Sequence, residues 1–97
     1  MASLLTVAQA GTLESSDIMI TVSPGSIGTG IIIELESIVM AQYGEDIRQT
    51  LKDTVAEQGY ADLYIKALDR GALDCTIRAR MITALGRGGA RLKEAML

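Results

Sequence analysis

The chain has 97 residues, 48% hydrophobic and 22% charged, with Lys+Arg 9 against Asp+Glu 12 and a formal net charge of -3. That composition describes one packed domain burying about 65% of its unfolded surface, excludes a disordered chain, and gives no general attraction to nucleic-acid phosphates or an anionic membrane. With no histidine and a single cysteine, Cys75, the usual neutral general base, the Ser-His and Cys-His nucleophile pairs, an internal disulfide and the common zinc sites all fall away.

The opening "MASLLTVAQA" is mildly apolar but has no basic n-region, and no stretch approaches the ~20 apolar residues of a membrane span. A cytoplasmic protein is expected. Leu5, Val7 and Leu13 suggest a first strand ending near Leu13. "DIMITVS" then alternates, with Ile18, Ile20 and Val22 on one face and Met19 and Thr21 on the other. Only "ESSD" separates the two, which predicts a tight hairpin with Ser15 and Ser16 at its tip. "PGSIGTG" (24–30) lacks the Walker spacing and its Lys-Ser/Thr ending, so it reads as a connector. "IIIELE" reads as a central strand.

The period changes at Tyr43, Ile47, Leu51 and Val55, which predicts an amphipathic helix from Tyr43 to Gln58, stopped by Gly59. "YADLYIKALD" alternates again, with Tyr60 and Tyr64 on the wet side, and a helix over 73–85 follows with the stripe Ile77, Met81, Leu85. The order ββ-β-α-β-α predicts an α+β two-layer sandwich, a four-stranded mainly antiparallel sheet with two helices on one face. The third and fourth strands, joined through a helix, are free to pair in parallel. The domain is expected over residues 1–86, with "GRGGARLKEAML" supplying a flexible tail over 87–97.

Few residues carry chemistry. Cys75 follows a helical spacing with Ala79 and Ile82 and reads as a small buried hydrophobe. Glu34 and Glu36 share a solvated strand face, and Glu45 and Asp46 begin a helix, without a third ligand for a metal. Arg78, Arg80, Arg87 and Arg91 gather near a helix end, where cations are favoured. The serine pair remains. A serine without a base attacks nothing unaided, but an exposed turn serine suits modification by another enzyme.

"AGTLESSDIMITV", "YGEDIRQTL" and "DRGALDCTIRARMITAL", in that order over residues 8–86, resemble the acyl carrier protein of citrate lyase, its γ subunit. In that family the hairpin motif reads Gly-Thr-Leu-Glu-Ser-Gly-Asp and its serine carries an arm through a phosphodiester bond. Gly11, Thr12, Leu13, Glu14, Ser15 and Asp17 match. The resemblance therefore implies Ser15 as the attachment site of 2'-(5''-phosphoribosyl)-3'-dephospho-CoA, with Ser16 the lesser choice and Gly11, Glu14, Ser16 and Asp17 supporting the turn. Ser16 replaces the family glycine, so the turn must either accept a serine at positive φ or change type.

The resemblance also implies a carrier without catalysis of its own and without the four-helix fold of the familiar acyl carrier proteins. The implied partners are the α subunit (acetyl-carrier:citrate transferase), the β subunit (citryl-carrier lyase), the transferase that synthesises the holo-carrier and an acetyl-activating ligase. Neither nucleic acid nor membrane is among them. Two rival readings are the carrier subunit of malonate decarboxylase and an unmodified α+β binding module.

Overall fold

A computed structural model describes residues 4–89. Alternation along "IMITV" has the expected result: Ile18, Ile20 and Val22 are all fully buried. They belong to β2 (Ile18–Pro24), which pairs antiparallel with β1 (Ala8–Gly11) on one side and β4 (Leu63–Asp69) on the other. β3 (Ile31–Ser37) pairs with β4 in parallel, giving the order β1-β2-β4-β3. The parallel step is reached through α1 (Met40–Glu57), and α2 (Asp74–Arg87) follows β4. The α+β class is as expected, a mixed four-stranded sheet with two helices packed on it.

The core lies between the sheet and the helices. Leu63, Ile65 and Ala67 of β4 meet Leu51 and Val55 of α1 and Ile77, Met81, Ala84 and Leu85 of α2 in one cluster. The helices' stripes at spacings of three and four account for it, since those positions share one helix face. The opposite sheet face is open, and there the Tyr64 hydroxyl donates to Glu34.

Several local expectations are corrected. The first strand ends at Gly11, not near Leu13, and its buried residue is Ala10, while Leu5, Val7 and Leu13 are exposed. The cause lies at Gly11, whose positive φ of 99 turns the chain out of the ladder. β3 is an edge strand rather than a central one, because β4 lies between it and β2. α1 begins at Met40, and Tyr43 is 53% exposed, so the first large buried side chain of the stripe is Ile47, one turn later.

Tyr60 is buried instead of wet because it precedes β4 and is outside its alternation. Its hydroxyl is buried without a hydrogen-bond partner among the described residues, and burial pushes the phenol upward in pKa. Tyr60→Phe should therefore raise stability by about 1 kcal/mol, since it removes a desolvated polar atom and keeps the ring. A lower denaturant midpoint for the variant would show that the hydroxyl is satisfied in solution.

At the end of α2, the Gly88 carbonyl accepts from the N–H groups of Leu5 and Thr6 at 3.1 and 3.2 Å. Residues 90–97 of the expected tail lie outside the described residues.

Candidate functional site

Residues 12–17 join β1 to β2. The Asp17 N–H donates to the Glu14 carbonyl at 3.2 Å, closing a four-residue turn with Ser15 and Ser16 at its centre. Ser16 has φ 64, and among the described residues it is the only non-glycine in that region. A positive φ at the third position is what a type II turn demands, and glycine meets the demand without strain. Serine there accepts a strain of about 1–2 kcal/mol. Of the two options left by the sequence, strain or a different turn, the chain takes strain. Ser16→Gly should accordingly stabilise the fold by about 1 kcal/mol, partly offset by the freer unfolded chain. An unchanged or lower melting temperature would show that the strain is relieved elsewhere.

The turn is braced from two sides. The Ser16 N–H donates to the Arg70 carbonyl at 2.8 Å, and the Arg70 N–H donates to the Asp17 carbonyl at 2.9 Å, tying the hairpin to the loop after β4. Arg80, from α2, grips the Asp17 carboxylate with both prongs: Nε to Oδ1 at 3.0 Å and Nη2 to Oδ2 at 2.8 Å. Thr12 Oγ1 donates to the same carboxylate at 2.6 Å and the Ile18 N–H at 2.7 Å. These donors hold the Asp17 carboxyl well below the usual carboxylate range, the Arg80 hydrogen bonds most and that of Thr12 next. Arg80 is correspondingly pushed upward by its bond to Asp17.

A depressed folded-state pKa means that ionised Asp17 adds stability above the unfolded value of ~4, and that this part is lost as pH falls through the lower folded value. Asp17→Asn should be less stable than the parent at pH 6 and should lose less stability on going to pH 3. Denaturant midpoints at the two pH values measure it, and equal losses in both proteins would remove Asp17 from the brace.

Ser15 itself is exposed, and its hydroxyl takes part in no hydrogen bond among the described residues. Its surroundings follow from topology. Ile18 pairs with Asp69 and Asp69 with Ser37, so the serine turn stands at the C-terminal ends of β4 and β3, where α1 and α2 also begin. The buried Asp69 carboxylate accepts from Ser37 Oγ at 2.7 Å and from the N–H groups of Gly71 and Ala72 at 3.1 and 3.0 Å, shaping the loop beside the turn. A depression of about 340 Å³ opens there between Leu13, Glu36, Ile38, Leu68 and Arg70. A larger groove of about 640 Å³ runs between the two helix starts, walled by Val39, Tyr43, Ile47, Leu73 and Cys75.

The structure thus gathers Gly11, Glu14, Ser15, Ser16 and Asp17 into one braced turn. Glu34 and Glu36 are on the open sheet face, and Glu45 and Asp46 on α1. Among the described residues no group of three or more potential ligands could hold a metal ion. Cys75 is exposed, against the expectation of burial, because the core stripe of α2 begins at Ile77 and Cys75 lies off that face. Arg70 was not singled out by the sequence, and the role of Arg80 was not legible in it. Arg80 read as a cation near a helix end, and its partner is 63 residues away in sequence. No helix among the described residues is long and apolar enough to cross a membrane.

Comparisons with known proteins bear on the family and the fold. The family model described as "ACP: Malonate decarboxylase delta subunit (MdcD)" matches residues 6–88. The citrate lyase acyl carrier protein of Streptococcus equi subsp. equi is 53% identical over 81 residues, covering 84% of this chain and 78% of the relative. That of Halothermothrix orenii is 49% identical over 87 residues, 90% of each chain. A chain in the crystal structure of a Pseudomonas malonate decarboxylase hetero-tetramer in complex with malonate superposes with a TM-score of 0.73 at 20% identity, over 87% of this chain and 84% of that one. That likeness establishes the shared α+β fold. With half of the aligned residues identical over most of its length, the chain belongs to the citrate lyase acyl carrier protein family.

Proposed function

We propose that the protein is the acyl carrier subunit of citrate lyase and that Ser15 bears its phosphoribosyl-dephospho-CoA arm. The observation that carries this reading is Ser15 itself: an exposed, uncommitted hydroxyl on a turn braced by Arg70 and Arg80, in a chain without histidine. Such a serine is built to receive a group, since no base of its own activates it. In the loading reaction a bond forms between Ser15 Oγ and the donor's phosphorus. The P–O bond to the donor's phosphate leaving group breaks, and the hydroxyl proton passes to a base of the modifying transferase.

Once loaded, the arm supplies a thiol that carries acetyl or citryl as a thioester between a transferase subunit (α) and a lyase subunit (β), in the cytoplasm. An acetyl-activating ligase charges it. Tethering keeps the thioester near both sites at an effective concentration that reaches about millimolar.

The malonate decarboxylase carrier is a second reading, favoured by the description of the family model and by the solved structure. The identities of 53% and 49% to citrate lyase carriers support the first. Intact mass and peptide fragmentation across residues 11–17, after incubation with the modifying transferase and the arm's donor, test the site. A gain of one arm on Ser15 is the expected result; a gain on Ser16 moves the site, and no gain removes the carrier reading. Acetyl transfer from the charged carrier to citrate but not malonate, by the cognate transferase, separates the two complexes.

A further inference from the structure

Most arginines among the described residues are committed to the fold. Arg48 donates to the Ile33 carbonyl, Arg78 pairs with Glu57, Arg80 clamps Asp17, and Arg87 donates to the Gln9 carbonyl. Arg70 is different. Its backbone N–H and carbonyl are both used to hold the serine turn, while its guanidinium makes no hydrogen bond or ion pair among the described residues. Asp69 before it is buried and Arg70 itself is exposed, so alternation turns its side chain toward the open sheet face. There it lines the same depression as Leu13, two residues before Ser15, and Leu68.

An exposed arginine held by backbone bonds to Ser16 and Asp17, the residues that follow Ser15, is placed to bind a phosphate joined to Ser15. Guanidinium presents a planar fork of donors that matches two phosphate oxygens, and a charge-assisted pair of this kind is stronger than a neutral hydrogen bond. The neighbourhood supplies a reason for needing it. Glu14 adjoins Ser15 and Glu36 shares the depression, so an incoming anion meets carboxylates unless a cation offsets them.

We infer that Arg70, with the depression bounded by Leu13, Ile38 and Leu68, is the subsite for the phosphate of the group that joins Ser15. Arg70 receives the donor's phosphate oxygens as Ser15 Oγ meets phosphorus, and afterwards it stays on the phosphodiester, orienting the root of the arm along the depression. This inference rests on the carrier reading above and adds a residue and a ligand chemistry to it.

The test uses the full chain, the modifying transferase and the arm's donor, with loading followed by intact mass. Arg70→Ala should lower kcat/KM for loading about tenfold to a hundredfold, mostly through KM, as expected for a lost charged hydrogen bond. Arg70→Lys should recover part of the loss, because it returns the charge without the fork. Both variants should melt with the parent, because the backbone bonds of residue 70 remain. In a second readout without transferase, the Arg70 Nε–H resonance should shift between the unloaded and loaded protein.

Failure of the parent to load overturns the carrier reading together with the subsite. Normal loading of the parent and equal loading of Arg70→Ala overturns the subsite alone. A slowed Arg70→Ala with no change in the Nε–H resonance also overturns it, and reassigns Arg70 to a contact with the transferase.

Discussion

Ser15→Ala should fold like the parent and gain no mass when incubated with the modifying transferase and donor. The exposed hydroxyl makes no hydrogen bond among the described residues, so its removal touches neither the Glu14–Asp17 turn nor the Arg80 clamp. Surface changes of this kind stay within about 0.5 kcal/mol. Ser16→Ala is the necessary companion. Its side chain occupies a position of φ 64, one residue from the proposed nucleophile, and it should load normally because its contact to the frame is through its backbone N–H. Loading of Ser15→Ala together with loss in Ser16→Ala would transfer the attachment site to Ser16 and leave the rest of the reading in place.

Gly11→Ala should do the reverse, damaging the fold first and loading through it. Two independent costs coincide at this residue. Its φ of 99 lies where an L side chain is strained, and a Cβ there would sit 1.8 Å from the Ile18 carbonyl oxygen, a backbone atom that cannot swing aside. Strain of about 1–2 kcal/mol and overpacking of about 1–3 kcal/mol together suggest a loss of about 2 to 5 kcal/mol. Against a total stability of about 5–15 kcal/mol this is large. Relief requires β1 to part from β2 at Gly11–Met19, which releases Thr12 and with it one of the donors to Asp17. Thermal denaturation should show the loss, and the surviving folded fraction should load more slowly. A parent-like melting temperature would mean that the hairpin relaxes without opening.

Element order was legible because periodicity reports burial directly. Ile18, Ile20 and Val22 alternate and are buried; Ile77, Met81 and Leu85 recur at helical spacing and are buried. Errors arose where a residue's neighbours are set by another part of the chain. "IIIELE" has the composition of a central strand, but centrality depends on where β4 inserts, and the parallel crossover puts β4 inside. Tyr43 continues a four-residue rhythm but lines the open groove between the two helix starts, so it stays exposed. The serine motif was readable as a string, and Gly11 as part of that motif, but not as the residue that ends β1. The brace was not readable, because Arg70 and Arg80 reach the turn only after the sheet has closed.

The separation between Asp17 and Arg80, 63 residues, also sets an order in time. During synthesis the serine turn emerges early, yet β4 and the first half of α2 must leave the ribosome before its two braces exist. Hairpins between neighbouring strands form quickly, whereas pairings of high sequence separation are slow and come late. A nascent or misfolded chain therefore displays the serine on a loose loop, and only a finished molecule displays it clamped. The long-range ion pair is therefore among the last contacts to fix the geometry of the serine turn.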